Sequence, residues 1–488
     1  MPALIPTLRS LSPLLLLALP HPVLADTGSD TLTKTVTAIL AEAGPGTRFG
    51  MVVADDQGRE LLAIDPEGRY MPASNTKIYT TSAAYYATGG TLALPGGGAA
   101  VRLEKQGRHD DVVLVGNGDA RLSSADDCKA DCLATLADAV AAKTRHVRDM
   151  IGDDTLFPDQ RWSPGMSWNN VAGPYGTGIS ALTLDDNELL ATIRPGVVGH
   201  PPQVSADYYT VRNEAQTVPG TANNLIVDRL PGSRELLVSG TLGVDAGEHR
   251  LRLGIDDPAD HAAWRLAQML RDRGVEVSGT VRVRHRLLQS SDDPTLRGLT
   301  PITRPTALPM LAQVQEAPVS EDVVTTNKTS QNLHAELILR RTALLHGNGS
   351  IADGQAEVRT MLTAAGVTDA EASFADGSGM STYNRVAPRG TVKLLEWIAR
   401  QPWGANWRAS LPVGGVDGTL RRRFANMALQ GRIDAKTGTL AGTNALAGYV
   451  TAASGRTLTF AIYANDVPDG LAATPLMDRA IAAVAAAE

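Results

Sequence analysis

Cysteine is nearly absent from these 488 residues: Cys128 and Cys132 are the only two, and two thiols alone cannot complete a structural zinc shell. The nine histidines form no His-Glu-x-x-His or similar cluster, so no sequence-local metal site is expected and no cofactor is implied. Neither sign of charge dominates. Lys and Arg total 45 against 52 acidic residues, a net charge of -7, which argues against a nonspecific polyanion binder and so against a nucleic-acid partner. Beyond the first residues no apolar run resembles a membrane span, and no transmembrane partner is implied. No self-similarity at a period of about 20 to 50 residues stands out, which sets aside a solenoid or propeller.

What is present is ordinary globular material. Hydrophobic residues make 43 % and charged residues 20 %, excluding a wholly disordered or collagen-like chain, and the length calls for two or three domains. The 47 glycines and 28 prolines suggest many turns and a sheet-rich protein. Arg9 precedes the apolar stretch Leu11 to Leu19, and Val23-Leu24-Ala25 offers small residues to a signal peptidase, so residues 1–25 read as a signal peptide cleaved near Ala25. Pro13 and Pro20 break the stretch too often for a comfortable bilayer crossing. An exported chain would permit a local disulfide between Cys128 and Cys132, with two reduced thiols as the alternative.

Apolar spacing predicts a helix over Thr31 to Ala43, a strand hairpin of Phe49 to Ala54 and Glu60 to Ile64, and a second helix opening at Ser74-Asn75-Thr76. From about residue 88 to 300 the texture changes to short β-rich pieces between Gly and Asp turns, read as an insertion of two subdomains, about 88–210 and 211–300. Within it Pro258 to Arg273 reads as a helix and Val275 to Val283 as a strand. Helices are then expected at Leu308 to Gln315, Gln331 to Leu344, Ile351 to Ala365 and Gly390 to Gln401. The strands Leu446 to Thr451 and Thr457 to Ala464 and a closing helix, Pro475 to Ala487, end the chain.

Three short motifs carry chemistry. Ser74-Asn75-Thr76-Lys77 sets a hydroxyl and an amine on one helical face, about 4.5 Å apart along the axis, where a neutral lysine could activate serine for acyl transfer. Lys436-Thr437-Gly438 on a strand at a cleft edge would set an ammonium beside a substrate carboxylate and leave Gly438 open to close backbone approach. The N–H groups of Thr439 and Ser74 could then face a tetrahedral oxygen. Ser-x-Asn occurs at Ser167-Trp168-Asn169 and at Ser330-Gln331-Asn332. The second is chosen because it opens a candidate helix, so that a loop-to-helix junction can project Ser330 and Asn332 into a cleft. Each motif alone also reads as a helix cap or a strand turn.

Taken together and in this order, the motifs resemble the serine D-alanyl-D-alanine carboxypeptidase/endopeptidase family of the penicillin-binding protein 4 type, peptidase family S13, over nearly the whole mature chain. Gly116-Asn117-Gly118-Asp119 with Leu122, the segment Tyr175 to Asn187, and Asp376-Gly377-Ser378-Gly379-Met380-Ser381 add to the likeness. The middle residue of the second motif, Gln331, departs from the commoner Asp or Asn. The resemblance implies an α+β fold: a β-lactamase/transpeptidase-like domain, an antiparallel sheet flanked by helices, from 26–87 and 301–488, split by the β-rich insertion 88–300. It implies Ser74 as acylated nucleophile, Lys77 as general base, Ser330 and Asn332 as the second motif, and Lys436, Thr437 and Gly438 as the third, with the lysine near the substrate's terminal carboxylate; Thr439, next on the same strand, is expected to line the substrate too.

The partners so implied are peptidoglycan stem peptides or crosslinks, with β-lactam antibiotics as acylating inhibitors, and the location implied is the periplasm, with peripheral association to the inner membrane left open. Carboxypeptidase against endopeptidase preference and oligomeric state also stay open. The alternatives are an enzyme whose main output is β-lactam hydrolysis and a noncatalytic cell-wall binding or assembly protein. Asp376 to Ser381 reads as a scaffold loop under the cleft, with Ser378 as an alternative nucleophile.

Overall fold

The computed structural model describes residues 27–107, 109–302, 304 and 308–488, so the expected signal peptide lies outside the described residues. A five-stranded antiparallel sheet runs in the order Ile433–Leu440, Thr443–Thr451, Thr457–Asn465, Arg48–Ala54, Glu60–Ile64. Side chains alternate across a strand, so each strand feeds two cores. Val52, Ala54, Ala447, Tyr449, Ala461 and Tyr463 face one way, toward the helices Thr76–Ala87 and Pro388–Ala399. Met51, Val53, Leu446, Val450, Phe460 and Ile462 face the other, toward Thr27–Ala41 and Thr474–Ala487. Helices on both faces explain why Thr457–Asn465 reads as one unbroken buried run after its first residue.

The helix Thr76–Ala87 is the most enclosed part of this unit: its residues from Thr76 to Tyr85 are buried, although several are polar. Their hydroxyls are satisfied locally. Thr81 Oγ1 donates to the Lys77 carbonyl at 2.7 Å and Ser82 Oγ to the Ile78 carbonyl at 2.6 Å, which removes the desolvation cost of an unpartnered hydroxyl.

Strands from 100 to 313 belong to other sheets. Ala312–Gln313, Ala100–Gln106, His109–Val115 and His146–Pro158 lie side by side, and Glu276–Val277 and Val281–Arg286 both pair with His146–Pro158. Leu133–Lys143 and Pro258–Asp272 supply helical cover through Leu133, Leu136, Val140, Leu266 and Leu270. Between these strands in sequence, residues 188–254 build two further sheets around Ile193, Tyr209, Leu236 and Leu253. The border drawn near residue 210 meets the first residue of the strand Thr210–Asn213.

Two expectations are corrected. The helix expected at Leu308 to Gln315 is instead an extended segment in which Ala312–Gln313 pairs with Val101 and Ala100. Leu308, Met310 and Leu311 are exposed, so no helical apolar face forms, and the open edge of Ala100–Gln106 supplies partners: Leu311 N donates to the Val101 carbonyl at 2.8 Å. The strand expected at Val275 to Val283 is interrupted at Ser278 to Thr280, where Asp149 Oδ1 accepts from Thr280 N at 3.1 Å. Cys128 and Cys132 are joined by a disulfide. They do not share a helix, since Cys132 is the extended residue that precedes Leu133–Lys143.

The segment from Val171 to Asp256 also holds a buried ion pair. Arg229 Nη2 donates to Asp256 Oδ1 at 2.6 Å and to the carbonyls of Val171 and Gly254, and the Arg229 side chain is 1 % exposed. Asp256→Ala leaves that guanidinium without its counterion, and the expected loss is about 3 kcal/mol or more in urea unfolding. An Arg229→Met, Asp256→Leu double variant is expected to recover most of it, because the cost lies in the orphaned charge.

Candidate active site

Ser74 stands in the single turn Ala73–Asn75 that leads into Thr76–Ala87, and Ala73 takes a left-handed φ of 47°. Three residues on, Lys77 is wholly buried on the same face. Its Nζ lies 3.0 Å from Ser74 Oγ, 2.7 Å from Asn332 Oδ1 and 2.6 Å from the main-chain oxygen of Ser378. Burial pushes this lysine down to about 7, against the opposing pull of Asp376 and Glu336.

The second motif is set by its middle residue. Gln331 is the N-cap of Asn332–Ala343 and its side chain accepts from Leu333 N at 2.9 Å, so capping falls to Gln331 and leaves its neighbours free. Ser330 takes a φ of 66°, a conformation that costs a non-glycine residue about 1 kcal/mol or more and turns its hydroxyl toward the third motif. Asn332 Nδ2 donates to the Tyr175 carbonyl at 3.0 Å, which orients Oδ1 to Lys77 and ties the segment around Tyr175 to the site. The other Ser-x-Asn triplet does not join them: Ser167 Oγ bonds Asn169 Oδ1 at 2.6 Å on the surface.

The third motif lies on the edge strand Ile433–Leu440. Lys436 Nζ donates to Ser330 Oγ and to the Thr437 carbonyl, each at 2.9 Å. Burial, and then the neighbouring Lys77 charge, hold Lys436 well below its ordinary value. Thr437 Oγ1 is 2.7 Å from Thr419 Oγ1, and Thr439 pairs with Asn444 and is exposed. Helix and strand are joined by Asn75, whose Nδ2 donates to the Lys436 carbonyl at 2.7 Å. Gly438 is required here by space: a Cβ would stand 2.5 Å from the Pro72 carbonyl oxygen and 3.1 Å from Ser74 N.

Proton counting says what this arrangement can do. An ammonium carries three protons and fills all three contacts of Lys77; a neutral amine carries two protons and a lone pair. The Asn332 and Ser378 oxygens only accept, whereas Ser74 has a hydroxyl that can donate. When Lys77 is neutral its two protons are therefore taken, and its lone pair faces Ser74 Oγ.

A family model described as the D-Ala-D-Ala carboxypeptidase 3 (S13) family matches residues 32–487. The chain belongs to this family. A D-alanyl-D-alanine carboxypeptidase of Actinomadura sp. (strain R39) is 33 % identical over 471 residues, covering 91 % of this chain and 83 % of that protein. The crystal structure of penicillin-binding protein 4 (dacB) from Haemophilus influenzae superimposes with a TM-score of 0.77 at 21 % identity, over 92 % of this chain and 98 % of that one. The same protein complexed with a β-lactam superimposes with a TM-score of 0.71 at 21 % identity and the same coverage. The expected α+β, transpeptidase-like fold is the fold found.

Three further groups of this S13 chain join the site without having been singled out as site residues from sequence: the Ser378 carbonyl, Asn75 and Glu336. Asp376 to Ser381 does pack under the site. A Cβ at Gly379, which has a φ of +93°, would meet the Ala73 oxygen at 1.9 Å. The loop's Gly-Ser-Gly text was the available signal; that a main-chain oxygen of it would meet Lys77 left no mark in side-chain identity.

Proposed function

We propose that this S13 chain is a serine peptidase that cleaves the terminal D-Ala-D-Ala bond of peptidoglycan stem peptides, or a related crosslink, through an acyl-enzyme on Ser74. Ser74 Oγ bonds to the carbonyl carbon as its proton passes to Lys77 Nζ. The Ser74 and Thr439 N–H groups hold the tetrahedral oxygen, the proton that Lys77 took up is relayed through the Ser330 hydroxyl to the departing amine as the C–N bond breaks, and water then hydrolyses the ester. Asn332 donates to the substrate amide, and Lys436, Thr437 and Gly438 hold the strand edge beside the terminal carboxylate. The observation that carries this reading is the amine of Lys77, whose protons are taken by Asn332 and Ser378 and which lies 3.0 Å from Ser74 Oγ. A β-lactam imitates the acyl donor, in line with the β-lactam complex of the Haemophilus influenzae protein.

Incubation with a pentapeptide ending in D-Ala-D-Ala and with a crosslinked muropeptide tests it. Free D-Ala from the first, or separated stems from the second, is expected; turnover of neither would reject the reading, and the ratio of the two ranks carboxypeptidase against endopeptidase action.

Sheet membership supports dividing the chain into a catalytic unit of 26–87 with the C-terminal part and an insertion from 88, its far border set just before the helix Val319–Lys328 because Ala312–Gln313 pairs within the insertion's sheet. A periplasmic location after cleavage near Ala25 draws support from the Cys128–Cys132 bond, which a reducing cytosol disfavours. No helix among the described residues is long and apolar enough to cross a membrane.

A further inference from the structure

The direction of the Lys77 lone pair depends on two oxygens that cannot donate, and each needs something to hold it. Asn332 is held by the Tyr175 carbonyl. The Ser378 carbonyl belongs to a loop, and its peptide must be fixed by groups around it. Glu336 Oε1 accepts from Gly377 N at 3.0 Å and from Ser378 N at 2.9 Å, taking both N–H groups that lead into that carbonyl. Asp376 closes the far side, accepting from Gly379 N at 3.0 Å and from Ser381 N at 2.6 Å, while Thr80 donates to the Gly377 oxygen at 2.6 Å. Glu336 stands four residues after Asn332 on the helix Asn332–Ala343, so one helical face carries both supports of the amine.

Glu336 is costly where it stands. It is buried, and among the described residues no lysine or arginine forms an ion pair with it; Arg340, one turn further on, bonds Gln160 and the Gly349 carbonyl instead. An isostructural apolar residue would avoid that desolvation, so the carboxyl is best explained by the two N–H groups it holds. We propose that Glu336 is a positioning residue for the first proton transfer: by fixing the Ser378 carbonyl it turns the free electron pair of Lys77 onto Ser74. This deepens the acyl-enzyme reading given above and rests on it.

The groups that face this pair are Asp376, Arg340 and Lys77 around Glu336, and Asp376, Glu336 and Lys436 around Lys77. Burial, and then the Asp376 charge, raise Glu336 to about 7, with Arg340, the Ser378 side chain and the Gly377 N–H opposing. An ionised Glu336 favours the ammonium of Lys77, so removing that charge makes Lys77 lose its proton at lower pH. Glu336→Gln keeps an accepting oxygen for both N–H groups and removes the charge; Glu336→Ala removes both.

The test is the second-order rate of acylation by a labelled penicillin from about pH 5.5 to about pH 9, together with kcat and KM on a D-Ala-D-Ala pentapeptide. Glu336→Gln is expected to move the acid limb of acylation down by about half a pH unit or more while its plateau stays within about tenfold of wild type. Glu336→Ala is expected to lower kcat and the acylation plateau about 100-fold with KM within about threefold, the mark of misplaced reacting groups.

An Ala variant with wild-type kcat and acylation plateau overturns the proposal, as does one that raises KM at unchanged kcat, which would make Glu336 a substrate contact; so does a Gln variant whose plateau falls as far as the Ala variant's, because the retained accepting oxygen would then count for nothing. Should Glu336→Ala fail to fold, Glu336→Leu takes its place with the same expectation. Wild-type protein that forms no adduct would defeat the acyl-enzyme reading and this inference with it, whereas normal wild-type acylation beside an unimpaired Ala or Leu variant removes the inference only.

Discussion

Ser74→Ala is expected to form no covalent adduct: after incubation with labelled penicillin its intact mass should stay that of the unmodified protein, while wild type should gain one equivalent. Removing one oxygen suffices because Lys77 Nζ points its free contact at that oxygen and at no other hydroxyl in hydrogen-bond range. The fold should be unmoved, since Ser74 is half-buried and its hydroxyl makes no bond that holds the helix start. Ser167→Ala, in the rejected Ser-x-Asn triplet, is expected to acylate like wild type; an adduct retained on Ser74→Ala would place the nucleophile elsewhere.

Lys77→Met is the second large effect. Methionine fills the stem volume of lysine and brings no base, so acylation by the same penicillin is expected to fall about 1000-fold or more, within the range that general-base catalysis supplies. Stability should move the other way. Folding lowers Lys77 from its ordinary 10.5 to about 7, so between these values the unfolded chain binds the proton and the folded chain does not.

The cost of the buried ammonium is fully present below about pH 7, and the wild-type stability gain from this group accrues as pH rises from about 7 to about 10.5. Lys77→Met removes that cost, so the variant is expected to be more stable than wild type in urea unfolding near neutral pH and to show less increase in stability toward pH 10.

Local spacing made part of the site legible. A hydroxyl and an amine three residues apart on a helix must share a face, and Ser74 and Lys77 do. The Gln331 cap was foreseen as a helix start, though the side chain that caps is the middle one of the triplet and not its serine. Contacts made by main chain were not legible. The Ser378 carbonyl on Lys77 and the Lys436 carbonyl on Asn75 depend on how distant segments meet, and any residue has a carbonyl.

Glu336 was hidden for a related reason. An acidic residue in a helix with two arginines close behind it looks like ordinary surface charge, and only burial and the two facing N–H groups mark it out. The same limit governs the fold. Thr457–Asn465 announces itself by a run of buried residues, but Leu308 to Gln315 carries enough apolar text for a helix and becomes strand because a distant edge, Ala100–Gln106, is open to pair. Sequence order likewise conceals that residues 188–254 form sheets between strands of another sheet.

The most direct test is the pH dependence of wild-type acylation by a labelled penicillin. A lysine lowered to about 7 and aimed at Ser74 requires the rate to be half-maximal near pH 7 and level from about pH 8 to about pH 9. A rate still climbing beyond pH 9, as an ordinary lysine would give, or one that is flat from about pH 5 upward, would contradict activation of Ser74 by Lys77.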